Sequence, residues 1–491
     1  MESAIAGAGL GRYRRIVQMF WDPEPLNDSM ADQPVWCLGR SYRLCDKPLP
    51  TTAKSNAGGD GGADDNNDNN NDYDDDGGDS CRRNSNHHGY VAKDFAHSGQ
   101  EIVPGLPSPR ESNAPPANPP VNTPETPPES SSTSFSSSLA YDESARDGGG
   151  WPQGFVEDVG SRFWMTYRSD FEPIKRSTDP KATSALSLSV RIMSQLSEQG
   201  GFTSDSGWGC MIRSGQGLLA NTMAMIRLGR DWRRGQSPQE ERRLISLFAD
   251  DPHAPYSIHN FVRHGAAACG KYPGEWFGPS ATARCIQALV NTHETSPRVY
   301  STGDGPDVYE DRFMKVAKPD GGDFHPTLIL VGTRLGIDKI TPVYWEALIA
   351  SLQMSQSAGI AGGRPSSSHY FVGAQGNFLF YLDPHHTRPA LPYYTDPSCY
   401  TADDVESCHT SRLRRIHIRE VDPSMLIGFL IRSEDDWVDW RRRVKHVQGK
   451  AIIHVADRDP VGQAPLGQRG AAIDEVETLS DEDDDGVILS G

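Results

Sequence analysis

A tight loop that runs directly into a helix constrains the fold of this chain more than any other stretch. Two glycines and a tryptophan, Gly207-Trp208-Gly209, turn the backbone sharply in front of Cys210. The apolar residues that follow fall at roughly helical spacing: Met211, Ile212, Leu218, Leu219, Met223 and Ile226. The pattern therefore predicts a loop that delivers Cys210 to the first turn of a buried helix over 211–227.

Cys210 is thereby placed where a thiol becomes reactive. The N-terminus of a helix favours negative charge, so it lowers the pKa of the thiol and increases the fraction of thiolate, the nucleophilic form. A buried structural cysteine is the alternative, and for a cysteine chosen at random it is the commoner role. The surrounding glycine and tryptophan loop favours the nucleophile.

A nucleophilic cysteine needs a base and a group that orients the base. The apolar run 378–382 predicts a buried strand, and it breaks at Asp383-Pro384-His385. Residues two apart in an extended chain point to the same side, and Pro384 biases Asp383 towards extended geometry. A carboxylate could then fix the imidazole tautomer while the other ring nitrogen faces the thiol. The triplet alone is not specific, because Asp-Pro also begins turns and His386 is an alternative base.

Composition divides the chain into four predicted segments. Residues 1–49 contain short apolar stretches at 12–21 and 35–42, and we expect this N-terminal segment to pack on or flank the catalytic domain. Residues 50–150 are rich in Gly, Asn, Asp, Pro and Ser, so they predict a disordered insertion that buries too little surface to offset its ordering entropy. Residues 151–456 are predicted to form the catalytic domain, and 457–491 an acidic disordered tail.

The formal charge of −18 is unevenly distributed. Residues 58–80 hold nine aspartates and residues 472–491 hold eight acidic side chains, and neither stretch contains a basic residue. The rest of the chain is therefore close to neutral. Nucleic-acid binding would require a basic face, which this distribution does not indicate.

The sequence lacks the usual signals for export, membrane insertion and zinc binding. The apolar part of residues 1–12 precedes the basic part and is too short for a signal peptide, and no run approaches the roughly 18 apolar residues that span a bilayer. The terminal Ile-Leu-Ser-Gly contains no prenylatable cysteine. The eight cysteines include no Cys-x-x-Cys pair, so we expect no tetrahedral zinc site and predict a cytosolic protein with reduced thiols.

Helical and strand patterns alternate from Trp151 onward. Helices are predicted over 159–168, 211–227, 280–290, 345–354 and 434–447. Strands are predicted over 327–331 and 425–431, together with a hairpin of 369–372 and 378–382 across the turn 374–377. A helix that carries the nucleophile beside an antiparallel sheet that carries the base is the papain-like arrangement. We therefore predict an α+β, papain-like fold with a small auxiliary domain; here the triad order is Cys, Asp, His, and geometry rather than order defines a triad.

Eight short blocks, in the same order along the chain, carry a family resemblance. They occupy residues 34–42, 161–168, 203–216, 256–260, 274–279, 359–373, 383–385 and 422–424. In these blocks the chain resembles the autophagins, the cysteine endopeptidases of the autophagy-related protein 4 family. The matched span runs from about residue 33 to 455 and is interrupted by one large insertion. An ordered match of this length is far more specific than any single block.

The resemblance assigns roles to individual residues. Cys210 corresponds to the nucleophile, His385 to the general base and acid, and Asp383 to the residue that orients the imidazole. Tyr167 corresponds to an oxyanion donor that acts with the Cys210 backbone amide; without the resemblance it would be interpreted as a core aromatic residue. The resemblance also implies a substrate gate over the active-site groove, formed by Trp276 and the loop 359–366 with its Pro365.

The family's activity is the processing of a ubiquitin-like modifier of the autophagy-related protein 8 type. The resemblance implies cleavage after the modifier's C-terminal glycine through a thioester, and release of the modifier from phosphatidylethanolamine. It implies no cofactor and no metal, and membrane contact only through the lipidated substrate. The expected location is the cytoplasm, with recruitment to autophagic membranes, and the nucleus stays open as a further compartment.

The sequence departs from the family at two places. Some relatives have a second cysteine four residues after the nucleophile, where this chain has Ser214. The acidic tail lacks the aromatic residue expected in a modifier-binding motif, because 485–489 reads Asp-Gly-Val-Ile-Leu. Cys399 and Cys408 are candidates for pairing, although unpaired structural thiols are commoner.

Two other classes of function remain open at the sequence level. The first is a papain-type protease or deubiquitinating enzyme with another substrate, which would need a more open cleft. The second is a catalytically inactive binding module, against which the complete set of Cys210, Asp383 and His385 argues.

Overall fold

The structure is a computed structural model of the 491-residue chain. It describes residues 24–27, 30, 32–44, 149–188, 190–192, 200–293 and 296–460. The apolar stretch at 12–21, nearly all of the predicted insertion and most of the predicted tail lie outside the described residues. The domain bounds therefore stay predictions. Among the described helices, none is long and apolar enough to cross a membrane.

Strands are found in three sheets. Their bounds are β1 Val35–Cys37, β2 Arg40–Tyr42, β3 Arg168–Lys175, β4 Gly201–Ser204, β5 Arg298–Ser301, β6 Asp307–Tyr309, β7 Thr327–Arg334, β8 Ser357–Arg364, β9 Ser367–Gln375, β10 Phe378–Leu382, β11 Arg388–Pro389, β12 Arg415–His417, β13 Ser424–Ile431 and β14 His454–Ala456. The main sheet has the order β12-β10-β9-β8-β13-β7-β5, and β1 pairs with both β2 and β9. It is antiparallel except where β5 joins β7 in parallel. The smaller sheets are β11-β3-β4 and β14-β6.

Helices lie between the strands along most of the described chain. Their bounds are α1 Gln153–Gly160, α2 Pro180–Ala185, α3 Cys210–Arg227, α4 Pro238–Ser246, α5 Ile258–Ala268, α6 Pro279–His293, α7 Glu310–Ala317, α8 Trp345–Gln353, α9 Ala402–Glu406 and α10 Glu434–Lys445. Short 3-10 turns occupy Pro319–Gly321, Pro342–Tyr344, Pro397–Cys399 and Ile418–Glu420. The predicted α+β class is confirmed.

Both faces of the main sheet are covered by helices, which explains why β7 is apolar on both sides over 328–331. In β7, Leu328 and Leu330 point into a core shared with α3 and α6, whereas Ile329 and Val331 point into a second core shared with α8 and α10. Successive side chains of a strand face opposite sides, so a strand between two cores must be hydrophobic at every position. The sheet is thus the middle of three layers.

Helix α3 is almost completely buried, because it packs against β8 and β9 and is surrounded by α4, α5 and α6. A helix with so little exposed surface holds its first residue in a fixed position relative to the sheet. Since that first residue is Cys210, the packing of α3 fixes the position of the thiol.

Most predicted elements are present in the structure. The helices predicted at 211–227, 280–290, 345–354 and 434–447 correspond to α3, α6, α8 and α10. The strands at 327–331 and 425–431 correspond to β7 and β13, and the hairpin is β9 with β10. These predictions are confirmed.

The helix predicted over 159–168 is wrong. Helix α1 ends at Gly160, and the chain then runs extended into β3, which begins at Arg168. The backbone N–H groups of this stretch bond to distant partners: Trp164 donates to the Cys408 carbonyl at 2.7 Å and Tyr167 to the Pro384 carbonyl at 2.8 Å. Tertiary hydrogen bonds replace the helical ones, so the dense apolar pattern there reflects burial on several sides and not helical periodicity.

The N-terminal hairpin of β1 and β2 is held to α1 by a buried carboxylate. Asp158 is fully buried and forms ion pairs with Arg162 at 3.0 Å, Arg230 at 2.8 Å and Arg233 at 2.9 Å. Tyr42, at the end of β2, donates a hydrogen bond to the same carboxylate at 2.9 Å. These cations hold the pKa of Asp158 far below its ordinary range despite its burial, which alone would raise it.

We expect Asp158→Ala to destabilise the protein by about 3–5 kcal/mol, because it leaves buried guanidinium groups without their counter-charge. Urea unfolding followed by tryptophan fluorescence measures the free energy of unfolding. Asp231→Ala is the matched control, since the Arg40–Asp231 pair is exposed and an exposed pair contributes at most about 1 kcal/mol. Equal stability losses in the two variants would contradict the role of Asp158.

Candidate active site

The loop in front of Cys210 is closed around one aspartate. The Asp205 carbonyl accepts the Gly209 N–H at 2.8 Å, and its carboxylate accepts the Arg168 N–H at 2.6 Å and Arg213 Nε at 2.7 Å. A Cβ at position 209 would lie 2.3 Å from Asp205 Oδ2, so only glycine permits this approach. The Gly-Trp-Gly loop therefore lets the chain pass close to Asp205 and enter α3. Cys210 lies in the first turn of that helix, as the sequence predicts.

His385 and Asp383 project together from the end of β10. His385 Nδ1 lies 2.6 Å from Asp383 Oδ1, and the His385 backbone N–H donates to the same oxygen at 3.1 Å. Two hydrogen bonds to one carboxylate oxygen hold the ring with Nδ1 as the donor, so Nε2 is the nitrogen left to face the site. Asp383 and His385 therefore point to the same side, as their spacing in the sequence predicts.

Cys210 and His385 are in hydrogen-bond contact, although the thiol is 99 % buried. Burial alone would raise the pKa of the Cys210 thiol, but the hydrogen bond and charge of His385, with bonds from the Ser368 backbone and Trp276, lower it below its ordinary value. Burial alone would likewise lower the pKa of His385, but its bonds to Asp383 and Cys210 raise it to about 9. Both shifts favour the thiolate and imidazolium form of the pair.

Tyr167 stands beside the thiol at the point where β3 begins. Its hydroxyl is hydrogen-bonded to Cys210, and its ring is perpendicular to that of His385 with 5.3 Å between centroids. Burial, followed by the negative charge of Cys210, raises the pKa of Tyr167 well above its ordinary value. The hydroxyl thus keeps its proton and can donate, as an oxyanion donor must. The Cys210 N–H, in the first turn of α3, has no partner within the helix and can act as the second donor.

Trp276 covers the thiol. Its indole Nε1 donates to Cys210 Sγ at 3.2 Å, and the ring is only partly buried. A cavity of about 20 Å³ lies next to it, lined by Met211, Trp276, Arg364, Ser366 and other residues. A space of this size holds about one water molecule and no side chain. The described site is closed.

The predicted gate loop 359–366 is largely wrong. Strand β8 extends to Arg364, and its residues through Gly363 are buried and paired with β9 and β13. Exposure begins at Arg364 and continues through the turn of Pro365 and Ser366, where Ser366 has a positive φ of 58°. The glycines were predicted to supply hinge freedom, but strand pairing fixes them: Gly359 lies opposite a residue of β13, and Gly362 and Gly363 lie opposite residues of β9. The predicted gate is therefore reduced to this turn and Trp276.

His386 does not take part in the cluster. It is exposed and stacks on Trp164 with 6.2 Å between ring centroids, whereas its neighbour His385 faces Cys210. The structure therefore separates the two histidines that the sequence left as alternatives. Cys399 and Cys408 are free thiols, the first exposed and the second buried, in agreement with the expectation of unpaired thiols. Ser214 is buried and accepts a hydrogen bond from Ser368 at 3.0 Å.

His369 is a member of the site that sequence reasoning missed. It lies on β9 with Nε2 3.8 Å from Asp383 Oδ1 and its ring centroid 5.2 Å from that of His385. Burial lowers the pKa of His369 to about 3 even though Asp383 opposes the shift, so the ring is neutral. Arg414 approaches the other carboxylate oxygen at 3.7 Å, and Trp164 Nε1 donates to the Asp383 carbonyl at 2.7 Å. Asp383 is thus held from several sides.

The fold and the site together define the class: the protein is a cysteine protease with a papain-like, α+β fold. Residues 152–443 match the catalytic-domain model of peptidase C54. The chain belongs to this family, that of the autophagy-related protein 4 cysteine proteases.

Several fungal proteins are similar over nearly the whole chain. The cysteine protease ATG4 of Gibberella zeae is 62% identical over 99% of each chain. The cysteine protease ATG4 of Pyricularia oryzae is 58% identical over 99% of this chain and 100% of its own. Cysteine protease 1 of Neurospora crassa is 55% identical over 99% and 93%. The similarity therefore includes the segments outside the catalytic-domain match.

We expect Cys210→Ala and His385→Ala each to abolish peptide cleavage, because no neighbour can supply either function. Asp383→Asn should lower kcat by several orders of magnitude, as the comparable change in a serine triad costs roughly 10⁴-fold. His386→Ala is the matched control and should keep most of the activity. Melting temperatures close to that of the unmodified protein would show that the variants are folded. An inactive His386→Ala beside an active His385→Ala would overturn the assignment of the base.

The paired charges predict a bell-shaped dependence of kcat/KM on pH. On the acid side activity is lost as the thiolate takes up a proton, at a pH below the ordinary thiol pKa because the pKa of Cys210 is lowered. On the alkaline side the imidazolium is lost near pH 9, because the pKa of His385 is raised to about 9. The rate of Cys210 alkylation should not fall on this side, since the thiolate remains. An alkaline limb near pH 7 would contradict the pair; the apparent values belong to both groups together.

Proposed function

We propose that this protease cleaves a ubiquitin-like modifier of the autophagy-related protein 8 type after its C-terminal glycine. We also propose that it releases the same modifier from phosphatidylethanolamine. The observation that carries the proposal is the covered thiol: the Trp276 indole donates to Cys210 Sγ at 3.2 Å, and a residue without a side chain fits under this ring better than any other. Membership of the autophagy-related protein 4 family supports it.

The chemistry is acyl transfer from an amide to a thioester. The Cys210 thiolate attacks the glycine carbonyl, while the Tyr167 hydroxyl and the Cys210 N–H donate to the oxyanion. The His385 imidazolium gives its Nε2 proton to the leaving amine, so the neutral ring can then activate water. Water attacks the thioester and releases the glycine carboxylate, and the proton it loses returns to His385. Asp383 holds the ring throughout at 2.6 Å.

Both substrates present the same acyl group and differ only in the amine that leaves. In the precursor the leaving amine is that of a peptide, and in the conjugate it is that of phosphatidylethanolamine. No side chain needs to recognise the leaving group, because His385 protonates either amine. We propose that the enzyme acts in the cytoplasm and meets autophagic membranes through its lipidated substrate.

The decisive experiment is incubation of the full chain with a purified modifier precursor that carries a C-terminal tag. Cleavage is read on a gel, and mass spectrometry of the product identifies the new C-terminal residue. We expect a product that ends in glycine, no product with Cys210→Ala, and no cleavage of a ubiquitin precursor in parallel. Cleavage of the ubiquitin precursor alone would replace the proposal by a deubiquitinating activity. Binding of the modifier without cleavage would indicate an inactive binding module.

The closed site predicts that Trp276 limits access to the thiol. Trp276→Ala should accelerate alkylation of Cys210 by iodoacetamide and relax the requirement for glycine before the cleaved bond. Trp276→Phe is the matched control, because both variants lose the indole N–H donor but only alanine removes the ring. If Trp276→Ala is alkylated faster than Trp276→Phe, the difference measures how far the ring itself shields Cys210. If Trp276 were a core residue instead, its truncation would cost about 3–5 kcal/mol of stability without faster alkylation.

A further inference from the structure

We propose that His264, Cys269 and Cys285 form a binding site for a thiophilic divalent cation, Zn²⁺ in the first instance. One ring nitrogen of His264 and the two sulfur atoms all lie within 4.8 Å of one another. Ligand atoms around tetrahedral zinc are about 3.4 to 3.8 Å apart, given metal–ligand distances of about 2.0–2.3 Å. The three groups therefore need to move by only about an ångström to share one ion.

Two packed helices bring the ligands together. His264 lies just before the last turn of α5, Cys269 is the C-cap of that helix, and Cys285 lies in α6. The resulting spacing is His-x4-Cys-x15-Cys, which contains no Cys-x-x-Cys pair, so the sequence alone does not predict zinc here. The fold alone reveals the cluster.

The donor set fits zinc by its chemistry. Two thiolates and one imidazole select a soft or borderline cation over Mg²⁺ or Ca²⁺, which prefer oxygen ligands. Cys285 is completely buried, whereas His264 and Cys269 are partly exposed. The exposed side gives the ion a path of entry and leaves the fourth position to water.

The hydrogen bonds from the two sulfur atoms to backbone carbonyls are weak. Cys285 Sγ lies 3.6 Å from the Phe261 carbonyl oxygen, and Cys269 Sγ lies 3.9 Å from the Ala281 carbonyl oxygen. Thiols are weak donors, so an ion would replace these contacts at little cost. Metal binding would release the thiol protons to solvent.

The two cysteines flank the loop that carries the gate. Residues 270–278 run from Cys269 to the start of α6 and include Trp276, whose indole donates to Cys210 Sγ. Phe277 packs against α5 so closely that a Cβ at Gly265, next to His264, would lie 2.3 Å from its ring. An ion held at the base of this loop would tie α5 to α6 and restrain the loop. This second step rests on the gating role of Trp276, whereas the metal site does not.

The site is tested on full-length Cys210→Ala protein, because the catalytic thiol and its histidine could themselves bind zinc. Co²⁺ is the probe, since tetrahedral thiolate ligation gives it strong visible and charge-transfer absorption. We expect one equivalent to bind at micromolar protein with that spectrum, and Zn²⁺ to displace it. Adding Cys269→Ser or His264→Gln should weaken binding by more than the roughly 10- to 100-fold that loss of a supporting residue costs. Cys399→Ser, which changes an exposed thiol elsewhere, should have no effect.

Binding only at millimolar metal, or unchanged binding in Cys269→Ser and His264→Gln, would overturn the site. A mass lower by two hydrogens that returns on reduction, with no bound metal, would show a disulfide instead. The restraint of the loop is measured separately, as the rate of tryptic cleavage after Lys271, and Zn²⁺ should slow this cleavage. Cleavage after the exposed Lys450 is the control and should not change. Bound metal with unchanged cleavage after Lys271 would overturn the link to the gate. None of these readings requires modifier cleavage, so failure of the metal site and failure of the proposed function are distinguishable.

Discussion

The buried ion network around Arg213 holds the parts of the active site in one place. Arg213 bridges Asp205 at 2.7 Å and Asp250 at 2.8 Å, and Asp250 lies 3.9 Å from Arg168. Asp250 also exchanges two hydrogen bonds with Leu391, its N–H donating at 2.8 Å and its carboxylate accepting at 2.9 Å. The network therefore joins the nucleophile loop, the start of α3, the strand beside Tyr167 and the chain that follows His385. Charges buried this deeply are tolerated only when they are paired, so displacement of one segment would expose the others to a large desolvation penalty.

The site above this network separates two kinds of histidine by their surroundings. His385 contacts both a carboxylate and a thiol, and these anionic partners overcome burial and keep its ring charged. His369 lies farther from the same carboxylate, at 3.8 Å, so burial prevails and its ring is neutral. The neutral His369 ring excludes water from Asp383 without forming a strong ion pair with it. The Asp383 carboxylate therefore pairs mainly with the His385 imidazolium.

The sequence predicted the parts of the site that depend on local pattern, and it missed those that depend on register. The helix behind Cys210, the hairpin and the Asp-Pro-His geometry follow from periodicity and from backbone preferences of a few neighbouring residues. The approach of His369 to Asp383 depends on a register shift between Phe380 and Tyr381, where β10 pairs with β9. A one-residue shift changes which residues lie opposite one another, and the sequence of β10 contains no signal that predicts this shift. The extended stretch before Arg168 was mistaken for a helix for a related reason, because its hydrogen-bond partners lie more than 200 residues away, at Pro384 and Cys408.

The anchoring of the N-terminal strands has a consequence for how chains of this kind can vary in length. Asn27 is bonded to Gly149 and Gly150, Trp151 donates to the Pro25 carbonyl at 2.9 Å, and β1 pairs with β9. Both flanks of residues 45–148 are therefore fixed on the catalytic body by contacts of their own. Insertions and deletions between these anchor points leave the anchoring contacts in place, so this position can gain or lose sequence while the protease that it interrupts stays the same.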